Sequence, residues 1–264
     1  MEDKTAIVTG ATGAIGLAIA KGIAGEPGFK VVLVCRNEAK AQRAVSAIQR
    51  DTDNEAVRYE LADLSRSAEV VALARRWQGP LHVLVNNAAI APRRRTTTPE
   101  GLELQFATNV MGYVWMMEAF HDVLRSSAPA RVVNVASYWA GGLSLSDLQF
   151  ERRRYDNDEA YRQSKQANRM LTVAYAKRLA VDGITVNGCH PGDVKSRLSN
   201  DLGFGGHESP EQGARTPVWL ATQSVGGEKT GKYFEGLRET LCRFGADASS
   251  VEELYRRCRL LVTS

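Results

Sequence analysis

The sequence is short of the features that mark several protein classes. It has only four cysteines, aromatic residues make up 7%, and no apolar run approaches eighteen residues. Cys35, Cys189, Cys242 and Cys258 lie far apart with no C-x-x-C pair and no Cys/His spacing, which excludes a zinc module or a disulfide framework and predicts free thiols. His82, His121, His190 and His207 are equally scattered, so no metal site is expected. Neither sign of charge dominates: Lys plus Arg exceed Asp plus Glu by 34 to 30, too little to indicate a nucleic-acid partner or an acidic membrane. The triplets Arg93, Arg94, Arg95 and Arg152, Arg153, Arg154 read as solvated loop charges. The chain opens M-E-D-K and enters an apolar run without a cationic leader, and no stretch could span a bilayer. The expectation is a cytoplasmic protein. With no linker, repeat or low-complexity block, residues 1–264 are expected to form one domain.

What the sequence does have is rhythm. T-A-I-V-T (5–9), V-V-L-V-C (31–35), V-R-Y-E (57–60), L-H-V-L-V (81–85), R-V-V-N-V (131–135) and I-T-V-N-G (184–188) alternate with helix-length amphipathic stretches. Those stretches start at Ile15, run over 38–50, 68–77 and 159–180, and follow Gly101. Apolar runs this continuous predict strands buried on both faces, hence a doubly wound, mostly parallel sheet. In such a sheet ligands sit beyond the carboxyl ends of the strands, near the point where strand order reverses.

The first run leads directly into T-G-A-T-G-A-I-G (9–16). Here Gly10 allows a tight turn, Gly16 allows close helix packing, and the amides at the helix start, around Thr12, Gly13 and Ile15, face an anion. The second run ends in Cys35-Arg36-Asn37, where an acidic residue would bind the ribose hydroxyls of NAD. A guanidinium there suits the 2′-phosphate of NADP.

Taken in order, T-G-A-T-G-A-I-G, Asp63-Leu64, N-N-A-A (86–89), Asn109, Ser137, Y-R-Q-S-K (161–165) and Pro191-Gly192 resemble the short-chain dehydrogenase/reductase family. Y-R-Q-S-K-Q-A-N, G-A-R-T-P-V-W-L-A (213–221), G-K-Y-F (231–234) and an insertion after Ser137 resemble its retinol dehydrogenase and protochlorophyllide reductase branch. The resemblance implies a single-domain Rossmann fold with a seven-stranded sheet, NADP(H), and hydride transfer between the nicotinamide and a small carbonyl or alcohol substrate. It implies Asp63 and Leu64 at the adenine, Asn87, Ala88 and Ala89 along the ribose, and Pro191, Gly192, Val194 and Ser196 at the nicotinamide and phosphates. It implies Asn109 as holder of a water behind Lys165, and a homodimer or homotetramer. Three departures from the family pattern are Ala14, with a glycine one place earlier at Gly13, Ala89 where a glycine is usual, and Ser196 where a threonine is usual after the Pro-Gly turn.

The chemistry has its own logic. A phenol with a pKa near ~10 needs a cationic neighbour to serve as acid or base, and Lys165 lies four residues after Tyr161, on the same helix face. Ser137, just past an apolar strand, is placed to hold the substrate oxygen against Tyr161. Substrate selection is expected from Tyr138, Trp139, the 143–158 insertion and a loop near 193–215, whose G-F-G-G (203–206) reads as mobile. These mixed apolar and aromatic residues suggest an apolar substrate, while Phe150 and Tyr155 fit local packing equally well. The spacing of Gly10, Gly13 and Gly16 also resembles sugar-nucleotide-modifying relatives. A non-catalytic NADP-binding regulator is a third reading.

Overall fold

The computed structural model describes residues 3–262. The apolar runs become strands β1 (Lys4–Thr9), β2 (Phe29–Cys35), β3 (Val57–Leu61), β4 (Val83–Asn86), β5 (Ala130–Val135) and β6 (Ile184–His190), followed by β7 (Tyr233–Glu235) and β8 (Arg238–Thr240). They form one sheet in the order β3-β2-β1-β4-β5-β6-β7-β8, parallel up to β7. The seven expected strands are the parallel β1–β7, and β8 adds an eighth at the edge. β8 returns antiparallel on β7 through a turn in which Gly236 (φ +55°) and Leu237 (φ +65°) are left-handed. Its three residues are all exposed, so it carries no alternation of apolar and polar positions that could announce a strand.

Helices cover both faces: α1 (Ala14–Ala24), α2 (Glu38–Thr52), α3 (Ser67–Arg76), α4 (Leu104–Phe106), α5 (Gly112–Ala119), α6 (His121–Ser126), α7 (Asn157–Leu179), α8 (Arg197–Asp201), α9 (Pro210–Thr222), α10 (Ser224–Glu228) and α11 (Ala248–Leu260). α7 starts two residues before its expected boundary because Asp156 caps it, its carboxylate accepting from the amides of Asp158 and Glu159. The single helix expected after Gly101 is instead α4, a π turn over Ala107–Met111, α5 and α6. Two apolar clusters fill the interior, one on each side of the sheet, with Ile7, Leu84 and Val132 on one side and Val8, Val85 and Val133 on the other. Adjacent residues of each strand thus feed opposite cores, which is why these strands read as unbroken apolar runs. Among the described residues no helix is long and apolar enough to cross a membrane.

Strand order reverses between β1 and β4, and their carboxyl ends are tied together there. The Thr9 hydroxyl oxygen accepts from the amides of Asn87 (2.8 Å) and Ala88 (3.1 Å), and the Asn87 side-chain amide donates to the Thr9 carbonyl at 2.9 Å. This tie fixes the floor of the crevice in which the site lies.

Candidate active site

The turn between β1 and α1 needs two of its three glycines. Gly10 has φ +64°, and a Cβ there would lie 2.8 Å from the Ala88 Cα; at Gly16 it would lie 2.4 Å from the Gly10 carbonyl oxygen. Gly13 has an ordinary φ of −85° and serves as the N-cap of α1, with no side chain covering the helix's first amides. Those amides face a cleft of about 590 Å³ lined by Gly10, Thr12, Gly13, Ile15, Gly16, Arg36, Asp63, Leu64, Asn87, Ala88, Ala89, Tyr161, Lys165, Pro191 and Ser196. Of the residues expected at the cofactor, Gly192 and Val194 are the two that line an adjoining pocket instead. An elongated cleft with bare helix amides at its centre and cations at one end fits a dinucleotide.

At the far end of the cleft the Arg36 guanidinium stands 3.9 Å from the Asp63 carboxylate, and both are partly exposed. The Asp63 carboxylate also accepts from the Ser65 amide (3.0 Å) and hydroxyl (2.8 Å). Sequence reasoning missed Lys40, which lines the same end. Asn37 caps α2 by accepting from the Lys40 amide at 2.9 Å, so a helix turn begins right after Arg36. The available signal was the place of Lys40 in the first turn of α2, directly after the strand end that carries Arg36.

The reacting end is buried. Ser137, immediately beyond β5, is 5% exposed and its hydroxyl oxygen accepts from the Trp139 amide at 3.0 Å. The Tyr161 phenol reaches it from α7. Burial pushes that phenol up to about 12, a hydrogen bond with Ser137 acts to lower it, and the charges of Asp193 and Asp158 raise it. Lys165 lies one turn on, as its spacing predicts, but its Nζ donates to the Val135 carbonyl at 2.9 Å and stands 5.6 Å from the centre of the Tyr161 ring. The ammonium is thus a neighbour of the Tyr161 ring, held by a backbone carbonyl. Burial pulls Lys165 down to about 7.

Asn109 sits in the π turn, fully buried. Its Oδ1 accepts from the Ile90 amide at 2.9 Å, and its Nδ2 donates to the Ile90 carbonyl (2.9 Å) and to the Ser164 hydroxyl (3.2 Å). The side chain expected to hold a water is thus occupied in clamping the β4 loop to α7, beside the reacting end. A π turn rotates one residue out of helical register, a device frequent at functional sites, and no periodicity in the sequence marks it.

The adjoining pocket, about 30 Å³, is lined by Ser137, Trp139, Tyr161, His190, Gly192, Val194, Leu198, Leu202 and Phe204 among others. Trp139 meets Phe204 edge to face at 5.3 Å, and His190 meets Tyr138 likewise at 4.6 Å. Burial pulls His190 down to about 4, so the imidazole facing this pocket is neutral. The expected loop near 193–215 is only partly loop. Ser196 caps α8, its hydroxyl accepting from the Ser199 amide at 3.1 Å, and from Pro210 onward the chain is α9. The G-F-G-G stretch is anchored too, with the Phe204 and Gly205 amides donating to the Ser199 carbonyl. Phe150 and Tyr155 prove to be local packing. Their rings meet at 5.5 Å, and the Tyr155 hydroxyl donates to the Pro92 carbonyl and to Gln105 at 3.0 Å.

A site built at the strand-order switch, with a bare helix start at its centre and a buried serine, tyrosine and lysine at one end, is that of a nicotinamide-dependent oxidoreductase. The chain belongs to the short-chain dehydrogenase family, whose profile matches residues 4–203. It is 35% identical to mouse (Mus musculus) retinol dehydrogenase 13 over 96% of this chain and 81% of that one. It is 36% identical to a probable oxidoreductase of Streptomyces antibioticus over 89% and 86%. Among solved structures, an uncharacterized protein from Mycobacterium paratuberculosis superposes with a TM-score of 0.82 at 26% identity, covering 100% of this chain and 94% of that one. The Pseudomonas aeruginosa RhlG/NADP active-site complex superposes at 0.71 with 25% identity, covering 89% and 95%.

Proposed function

We propose that the protein is an NADP(H)-dependent oxidoreductase that interconverts a carbonyl and an alcohol on an apolar substrate, with Tyr161 as acid and base. The observation that carries this reading is the placement of two buried hydroxyls, Ser137 and Tyr161, on the same small pocket, while Tyr161 also lines the large cleft. Bound in the cleft, the cofactor supplies or takes up a hydride. The chain's own residues do the rest. The Ser137 hydroxyl holds the substrate oxygen, and the Tyr161 hydroxyl gives that oxygen a proton on reduction or takes one on oxidation. Lys165 places a cation beside them, and Trp139, Leu198 and Leu202 exclude water from the reacting end.

The preference for NADP(H) rests on Arg36 and Lys40 at the far end of the cleft, where two cations suit a 2′-phosphate. The side chains of Trp139, Leu198, Leu202 and Phe204 beside the reacting end support an apolar aldehyde or ketone, and the identity with a retinol dehydrogenase supports a retinoid-like one. The test is a pair of titrations of NADPH and NADH, followed through the fluorescence of the four tryptophans, and then turnover on a panel of apolar aldehydes and ketones. Tighter binding of NADPH and turnover on the panel are expected. Binding of neither dinucleotide would overturn the reading, and binding without turnover on any carbonyl would favour a regulator.

A further inference from the structure

Lys165 is 2% exposed, and it forms no salt bridge among the described residues. Four groups face its ammonium: the Val135 carbonyl from β5, the Tyr161 ring from its own helix, the Tyr113 ring from α5, and the Cys189 thiol from β6. All four are neutral near pH 7, since burial pushes the Tyr161 phenol and the Cys189 thiol up to about 12 and holds the Tyr113 phenol well above its ordinary range. What stabilises the ammonium is therefore one carbonyl dipole and two aromatic faces, with no anion to do the work.

Of the two side chains in this set that the reaction does not use, Tyr113 and Cys189, Tyr113 is the one that presents a ring to the ammonium. It is 1% exposed, and its hydroxyl donates at 3.1 Å to the same Val135 oxygen that accepts Lys165 at 2.9 Å. Its ring centre stands 5.5 Å from Nζ, as close as that of Tyr161 at 5.6 Å, and both fall within the ~6 Å reach of a cation on an aromatic face. Gly112 lets α5 come near enough, because a Cβ there would lie 2.9 Å from the Leu64 carbonyl oxygen in the wall of the cleft.

We propose that Tyr113 is a positioning residue for Lys165: its ring face, the Val135 carbonyl it shares, and the Tyr161 ring form a neutral cage that favours the charged form of the lysine against its burial and holds it in place at the cleft. The proposal rests on the reading of Lys165 as part of the reacting end. Ring and hydroxyl make opposite predictions. Tyr113→Phe keeps the face and releases a lone pair of the Val135 carbonyl to Lys165, so the lysine should titrate at the parent's pH or slightly above. Tyr113→Leu removes the face, and loss of a desolvated cation–ring contact should move the midpoint down by about half to one and a half pH units.

The experiment is NMR of protein carrying ¹³Cε-labelled lysine, with the Lys165 signal assigned by its absence from Lys165→Met and followed through pH in parent, Tyr113→Phe and Tyr113→Leu. If the leucine variant does not fold, Tyr113→Met fills similar space with a flexible chain that has no ring face. A downward shift in the leucine or methionine variant with none in the phenylalanine variant is expected. An unchanged midpoint in the ring-less variants, or a fall in the phenylalanine variant as large as theirs, would overturn the cage. The readout needs no dinucleotide. Titration of the same samples with NADPH and NADH therefore separates failure of the proposed function from failure of this inference.

Discussion

The two ends of the cleft use charge in opposite ways. At the far end Arg36, Lys40 and Asp63 stand partly in water, 3.9 Å separating the Arg36 and Asp63 charges, and solvent screens whatever they do. At the reacting end Lys165, Tyr161 and Ser137 are at most 7% exposed, and desolvation is the largest influence on both Lys165 and Tyr161. An exposed end can select among dinucleotides by a few added or removed charges without disturbing the fold. A buried end gains strong, preorganised interactions, and the fold pays for them in stability.

The largest expected effect breaks the reacting end alone. Tyr161→Phe removes one oxygen, keeps the ring beside Lys165, and should lower turnover by roughly 10²–10⁴-fold. Dinucleotide affinity, read by tryptophan fluorescence, should stay within about twofold of the parent. Parent-level turnover on an authentic substrate would show that another group moves the proton.

The second effect reports what burial costs. Lys165 titrates at about 7 in the fold and at 10.5 as an ordinary lysine, so between these values the unfolded chain holds a proton that the folded one has released. Raising the pH therefore opposes unfolding, and stability should climb through this window and be flat below it. Relative to Lys165→Met, the parent should gain about 2 kcal/mol between pH 7 and 9, the slope rising from half of ~1.4 kcal/mol per unit at pH 7 to nearly all of it by pH 8. Denaturant melts of both proteins at the two pH values give the difference. Parallel pH profiles would mean that the ammonium is not desolvated in the fold.

How far these two ends were legible in the sequence follows from the same contrast. Gly10, Gly16, Arg36, Tyr161 and Lys165 line the cleft and Ser137 the pocket beside it, and all sit at strand ends or one helical turn apart, where local pattern can point to them. The unforeseen features depend on contacts remote in sequence. Asn109 clamps Ile90, nineteen residues away, and Lys165 donates to a carbonyl thirty residues away, and neither arrangement leaves a local pattern. The π turn is hidden because a one-residue change of register leaves no mark in a segment whose five residues, polar Thr108 and Asn109 included, are all buried. β8 was invisible for the opposite reason, since an exposed edge strand of three residues has no buried face to pattern.

A smaller effect is expected at the exposed end. Arg36→Asp should weaken NADPH by about tenfold, the scale of one charge-assisted hydrogen bond partly screened by solvent, while NADH changes by less than about threefold. The ratio should shrink as salt rises from 50 to about 500 mM, a dependence the buried end should not share. Equal losses for both dinucleotides would remove the role of Arg36 at a 2′-phosphate.

The smallest effect tests whether the apolar pocket belongs with the buried end or behaves like a surface. Phe204 is 38% exposed, and its edge contact with Trp139 at 5.3 Å spans the mouth of a pocket of about 30 Å³. Phe204→Ala removes a half-exposed ring, so the fold should lose under about 1 kcal/mol, while the mouth widens. Bulky aldehydes should gain a few-fold in kcat/KM over short ones, because the ring blocks access more than it builds the site. If the variant instead loses activity on every substrate alike, Phe204 acts by keeping water from the Tyr161 and Ser137 pair, and the desolvated region extends out to the pocket mouth.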